Sequence, residues 1–322
     1  MLVACACLVT VVSITGLALL TNRFGWSIYL ELFSHFQVQY FIVALLFACI
    51  VLCLGHFRIL LGILFCSALL SAQVLPWYVP AQMGVQANYR VLAANLNFSN
   101  TNAAQTLTLM NREHPDLALF IEVGQAMKAQ LEALATTMPY STDIASGSGL
   151  MLYSKYPLTD IQLQSFGLYG RQSLTAHLNV NGHPISLVAA HPLPPVEPRL
   201  FQSRNTLLAD AGDYIKTQTA PVIFLGDLNI TMWSPYYQAL MRKTGLTNVR
   251  KGFGIRPTWP AVASYYGLPP AAQTLIKPLQ IPIDHCLVSP KIKVSNVYTG
   301  AETGSDHLPV IADLWLDKPG VT

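Results

Sequence analysis

"PVIFLGDLN", residues 221–229, is an apolar run that turns polar at its end. Val222 to Leu225 are uninterrupted β-branched, aromatic and aliphatic side chains, the composition of a buried strand. Asp227 and Asn229 follow where that strand would leave the core. A carboxylate and an amide at a strand end sit at a sheet edge, on a rigid support. One such end is ordinary, because strands must meet water somewhere. Its meaning depends on whether other strands of the chain end in the same way.

They do. "VLAAN" ends in Asn95, "LALFIE" in Glu122 and "SLVAAH" in His191. "IPIDHCLVS" carries Asp284 and His285 within a late strand, and "GSDHLPV", residues 304–310, sets Asp306 and His307 in a Gly/Ser turn. A lone Asp-His is most simply a solvated turn. Repetition of the pattern across one domain points instead to convergence on one sheet edge.

The intervening segments alternate between strand and helix. Residues 101–113 place Ala103, Ala104, Leu107 and Met110 at helical spacing, and residues 125–138 place Met127, Leu131 and Leu134 on one face. "SGLMLYS", residues 148–154, is strand-like. Asn181-Gly182 between two apolar alternations predicts a hairpin. A helix is expected over about residues 197–217. Ser234-Pro235 opens another, and Gly245 closes it. Hairpins among helices predict an α+β domain of packed, largely antiparallel sheets with helices outside.

The front of the chain is different. Of 322 residues, 52% are hydrophobic and 11% charged, against a usual charged share of about a quarter. Before residue 80 the only acidic or basic residues are Arg23, Glu31 and Arg58. Residues 2–20, about 38–54 and about 59–75 form three apolar runs, each near the length of a membrane-spanning helix. The first has no basic leader and two more follow, so a cleaved signal peptide does not account for them. The expected division is a membrane region at 1–79 with three transmembrane helices, a linker at 80–87 and a separate domain at 88–317. Arg58 and His56 lie in the short turn between the second and third runs. If that turn is cytoplasmic, the remainder of the chain is extracytoplasmic; Arg23 argues the other way, offset by Glu31 in the same loop. The expectation is a multi-pass cell-membrane protein with an extracytoplasmic domain.

Other features exclude more than they assign. Cys286 is alone beyond the apolar runs, so that part holds no internal disulfide, and no cysteine spacing suits zinc. The net charge of +3 is mild for a nucleic-acid binder. Arg242, Lys243, Arg250, Lys251 and Arg256 form a loose cluster that reads as solvated surface. Arg171 reads as a surface ion-pair residue rather than a phosphate contact, and His177 and His183 as outward-facing and turn residues.

The polar strand ends suit one chemistry. Glu122 and Asn95 offer hard oxygen ligands without cysteine, a set for Mg2+ or Mn2+. Asp227 could orient or deprotonate a water. His191 and His307 could donate to phosphate oxygens, Asp306 could hold the His307 imidazole, and Asn229 adds a neutral donor.

In this order the motifs resemble the endonuclease/exonuclease/phosphatase (DNase I-like) superfamily over residues 88–316. "RVLAANLN" is similar to its first strand, "PDLALFIEV" to its second, and "SGLMLYSKYPL" to its central segment. "VAAHPLP", "FLGDLN", "IDHCLVS" and "GSDHLPV" are similar to its later motifs. The resemblance implies a four-layer αββα sandwich and Mg2+-dependent hydrolysis of a phosphate ester. It implies a metal site at Asn95, Glu122 and Asp306, with Asn97 an alternative to Asn95. It implies catalytic roles for His191, Asp227, Asn229, Asp284, Asp306 and His307, the last two as an acid–histidine pair. The apolar front and "GIRPTWP", residues 254–260, resemble a bacterial membrane-anchored branch, with Trp259 at the site. Nucleic acid and phospholipid both stay open as substrate, the bilayer is the one other partner, and no protein partner is inferred. A catalytically silent scaffold of the same fold is the alternative. It is disfavoured because the carboxylates and histidines are all present. A transporter is disfavoured by apolar runs almost without ionisable groups.

Overall fold

The structure is a computed structural model that describes residues 1–80, 86–142, 149–265 and 267–316. The expected linker overlaps residues 81–85, and Ser148 and residue 317 of the motif and domain ranges also lie outside the described residues.

Three long apolar helices come first: α1 (Leu2–Arg23), α3 (Gln37–Cys53) and α4 (Phe57–Val74). A short α2 (Ile28–Leu32) and a 3-10 turn (Phe33–Phe36) run straight into α3. The second candidate span therefore covers Ile28–Cys53, starting ten residues before the apolar run suggests. Polar Glu31, Ser34, His35 and Gln37 hide that start from a hydropathy reading, yet all four are buried. The helices pack through small side chains, including Ala4, Ala18, Ala44, Ala48 and Cys66, which let apolar helices approach closely.

The rest is built on two six-stranded sheets. The first has the order β11-β12-β1-β2-β4-β3, from β1 (Tyr89–Asn95), β2 (Leu117–Ile121), β3 (Tyr140–Ser141), β4 (Met151–Ser154), β11 (Lys293–Thr299) and β12 (Val310–Trp315). The second has the order β5-β6-β7-β8-β10-β9. Its strands are β5 (Leu158–Ser165), β6 (Gln172–Val180), β7 (His183–Ala189), β8 (Val222–Asp227), β9 (Thr247–Asn248) and β10 (Asp284–Val288). Pairing is antiparallel except for β1–β2 and β7–β8. The Asn181-Gly182 turn does join β6 to β7, with both residues at positive φ.

Side-chain alternation makes the layers. Val91 and Ala93 of β1 face Leu187, Ala189 and Leu225 of the other sheet. Leu92 and Ala94 face outward onto α5 (Ala104–Glu113) and α6 (Gln125–Leu131). On the far side Val188, Phe224 and Leu287 pack under α7 (Pro198–Thr217) and α8 (Pro235–Thr244). The result is the expected helix–sheet–sheet–helix sandwich. Ser234 caps α8 and Gly245 ends it in the left-handed conformation. Helix α6 is shorter than its amphipathic pattern and tightens into a 3-10 turn at Glu132–Thr136. A final helix, α9 (Pro270–Ile276), precedes β10.

The apolar helices sit directly on this sandwich. Val74, Val38, Phe41 and Trp77 share a core with α7, α8 and the outer face of the second sheet.

Candidate active site

Both sheets end at one edge. Strand β1 ends in Asn95, and Glu122 directly follows its parallel neighbour β2. In the facing sheet, β8 ends in Asp227, and Asp284 at the start of β10 is its register partner. Gly226 makes the approach possible: a Cβ there would lie 2.0 Å from the carbonyl oxygen of Ala190. No other residue fits, which explains the glycine of "GDLN".

Asn95 joins the sheets. Its Nδ2 donates to Glu122 Oε1 at 3.0 Å and to Asp227 Oδ2 at 3.1 Å. Asn97 adopts a left-handed conformation (φ +63°) and donates from Nδ2 to Asp306 Oδ1 at 2.8 Å. Both asparagines thus belong to the cluster, with different carboxylates. Glu122 and Asn229 are also left-handed, at φ +58° and +50°. Such backbone is costly for residues with side chains and gathers at functional sites.

Asp306 does not hold His307, contrary to the expectation from their adjacency. His307 Nδ1 donates to Asp284 Oδ2 at 2.9 Å. Asp306 instead accepts from Asn97, and the His307 Nδ1 position is taken by Asp284. The acid–histidine pair is therefore Asp284–His307. Asn229 is not simply a free donor either: its Nδ2 donates to the Pro192 carbonyl at 3.0 Å. Its backbone N–H donates to Asp227 Oδ1 at 3.0 Å and so aims that carboxylate.

Charge states follow from burial and neighbours. Burial opposes a charge on His307, but Asp284 and Asp227 outweigh it and raise its pKa to about 10, so it is an imidazolium. Burial would raise Asp284, and the His307 cation holds it below the ordinary carboxylate range. Asp227 is pushed up to about 7 by burial and by the Asp284 charge. His191 falls to about 3 through burial and the charges of Arg171 and His307. Arg171 Nη2 lies 3.2 Å from His191 Nδ1 and can only donate. His191 is thus neutral, with its proton on Nε2, which points at Glu122 Oε1 (3.5 Å) and Asp227 Oδ2 (3.7 Å). Arg171 is a partner of His191 rather than a surface ion-pair residue.

Ligand atoms of Glu122, His191 and Asp227 lie within 4.8 Å of one another, as do those of Asp227, Asp284 and His307. The second trio contains an imidazolium and offers no lone pair there. In the first trio His191 turns Nε2–H inward and Asn95 its amide nitrogen, so the oxygens offered there are those of Glu122 and Asp227, which with no thiol beside them fit Mg2+ or Mn2+. Asp306 is linked to this group through Asn97 and lines the same cleft of about 370 Å³, as do Asn229 and Trp259.

Three contributions escaped the sequence. Arg250, expected on the surface, is fully buried and donates from Nη1 to the Asp284 carbonyl at 2.6 Å. Nothing in the local pattern separates it from its exposed neighbours Arg256 and Lys251. His285 points away from the cleft and donates from Nε2 to the Ile230 carbonyl at 2.7 Å. Leu32 and His35, from the apolar front, line the cleft. No signal in the sequence places them there.

The sequence model described as the Endonuclease/Exonuclease/phosphatase family matches residues 92–307. No curated protein matches the chain. Among solved structures, an endonuclease/exonuclease/phosphatase from Beutenbergia cavernae is similar at 18% identity and TM-score 0.58, over 72% of each chain. A beta toxin from Staphylococcus aureus with bound magnesium ions is similar at 14% identity and TM-score 0.51, over 70% of this chain and 99% of that one. A sphingomyelinase C from Streptomyces griseocarneus is similar at 15% identity and TM-score 0.51, over 71% and 99%. At these identities the likeness is one of fold.

Proposed function

Because the chain belongs to the endonuclease/exonuclease/phosphatase family, we propose that it is a membrane-anchored, Mg2+-dependent hydrolase of phosphate esters. The observation that carries this reading is the position of Asp227. It is a carboxylate near pKa 7, between a neutral imidazole and an imidazolium. Near neutral pH it accepts a proton from a water and returns it, the task of a general base. His307, held by Asp284, presents a positive charge where a phosphoryl oxygen would gain negative charge. His191 adds an Nε2–H donor to the same place. Glu122 would hold Mg2+, with Asn95 steadying its carboxylate and Asp306 beside it across Asn97. Bound there, the ion would supply positive charge that polarises the phosphoryl group.

The apolar helices support a multi-pass membrane location. The turn after α3 carries His56, with Arg58 in the first turn of α4, and lies at the helix ends away from the sandwich, about 25 Å along a helix of that length. A cytoplasmic turn would place the sandwich outside the cytoplasm. Near-neutral charge and proximity to headgroups favour a lipid phosphate ester over duplex nucleic acid, which is the finer part of the proposal.

The test is a substrate panel on the full chain in detergent: a chromogenic phosphodiester, single- and double-stranded DNA, RNA, and mixed phospholipid vesicles. Each is assayed with Mg2+ and with EDTA. Metal-dependent cleavage is expected, greatest for the vesicles. A folded protein that binds Mg2+ and cleaves nothing would favour the silent scaffold.

A further inference from the structure

One wall of the cleft does not come from the sandwich. Leu32 and His35, from the head of the second apolar helix, face it beside Asp227, Asn229 and His307. What holds them is a buried ionic cluster. The Glu31 carboxylate lies 3.1 Å from Arg204 of α7, with neither side chain exposed. Arg204 Nη1 donates at 3.0 Å to the backbone carbonyl of Asn229. His35 reaches Glu31 through Nε2 (3.2 Å) and Thr231 Oγ1 through Nδ1 (2.9 Å). Two steps therefore connect a membrane-region carboxylate to the backbone that carries Asn229.

Neighbouring residues brace the same joint. The Phe201 and Tyr236 rings flank the Arg204 guanidinium, at 5.2 Å and 5.9 Å to their centroids. The Tyr236 hydroxyl donates to the Gly25 carbonyl. A Cβ on Gly25 would lie 2.3 Å from Tyr236 Cε2, so the loop before α2 can approach only as glycine. Trp233 Nε1 donates to the Gln73 carbonyl at 2.9 Å. Residues 229–233 are thus gripped from the membrane side at several points.

A buried ion pair is a poor source of stability, because desolvating two charges offsets most of their attraction. Apolar residues of similar volume would fill this joint at no such cost. What the guanidinium adds is a shared donor: its Nη1 donates both to Glu31 Oε2 at 3.4 Å and to the Asn229 carbonyl, so the two are held together. We propose that residues 28–36 of the membrane region are a working part of the active site. Glu31 and Arg204 are positioning residues for the loop that bears Asn229, and Leu32 and His35 form a wall against which substrate binds. The inference rests on the hydrolase reading for its kinetics but not for its geometry.

The experiment uses the full chain in detergent, with Mg2+ and bis(p-nitrophenyl) phosphate as the probe. Glu31→Ala and Arg204→Ala are each expected to lower kcat about tenfold or more, since small misplacements at a site are expensive. The double variant should be no worse than the poorer single, because both remove one joint. A single variant leaves a buried charge unpaired and can fail to fold. The double variant removes both charges and keeps the test readable. Leu32→Trp should raise KM more than it lowers kcat, as a wall residue would.

Hydrogen exchange supplies a readout independent of turnover. The Asn229 amide should exchange about tenfold faster in the double variant than in the parent. A double variant with parental kcat and parental exchange, together with an unchanged KM in Leu32→Trp, would overturn the proposal. A parent inert on this probe and on the whole substrate panel, whose Asn229 amide still loses protection in the double variant, would sink the hydrolase reading and leave the joint standing. An active parent indifferent to every one of these substitutions would do the reverse.

Discussion

Asp227 is the residue whose environment is most at odds with its own stability. It is buried beside Asp284, the register partner across the sheet, and two negative charges share one His307 cation. Removing one negative charge relieves that repulsion. Asp227→Asn is therefore expected to abolish most turnover while raising the melting temperature by about 2–6 °C at pH 8. Thermal melts of both proteins check it; a lower melting temperature would contradict the charge account. The pH dependence of stability has a definite sign. The folded pKa of His307 is raised to about 10, so the folded state binds more protons than the unfolded chain above pH 6.5. Stability of the EDTA-treated protein should fall from pH 7 to pH 9, and His307→Gln should flatten that slope. Glu122→Gln should weaken Mg2+ binding about tenfold or more by titration calorimetry; unchanged affinity would remove Glu122 from the metal group. At this scale the residue types were legible in the sequence and their pairings were not. Adjacency suggested Asp306 for His307, whereas the partner is Asp284, 23 positions away.

The central strands were readable because burial on both faces leaves continuous apolar runs, as in "VIFLGD" and "LALFI". The edge strands were not. Strands β5 and β11 are half-exposed and carry polar residues such as Asp160, Gln162 and Asn296, so neither gives a run that separates it from a loop. Elsewhere the local signals agreed with the structure, as at the Asn181-Gly182 hairpin and the Ser234 cap. Strand β8 also shows how an element can be tuned to one function. Gly226 lets its end close on the Ala190 carbonyl, and a methyl group has no room. Gly226→Ala should cost about 1–3 kcal/mol of stability by overpacking and lower kcat by shifting Asp227. Denaturant titration and steady-state kinetics read the two effects separately; a neutral result in both would contradict the close packing.

At the scale of the molecule, the sequence divides into an apolar front and a sandwich, but the structure gives them a common core and a common cleft. That contact was invisible to hydropathy because the residues that make it, Glu31 and His35, are the polar ones in an apolar stretch. It also changes which residues a test of activity must include. A chain beginning at residue 86 would lose Glu31, the carboxylate paired with Arg204, together with the apolar cover of α7 and α8, and it should melt below the full chain. Mg2+-dependent turnover by the full chain in detergent, for the parent and for His307→Ala, tests the central claim most directly. The account predicts EDTA-sensitive cleavage of a phosphodiester that His307→Ala reduces about a thousandfold or more, with Mg2+ affinity retained. Equal rates in the two proteins would contradict it.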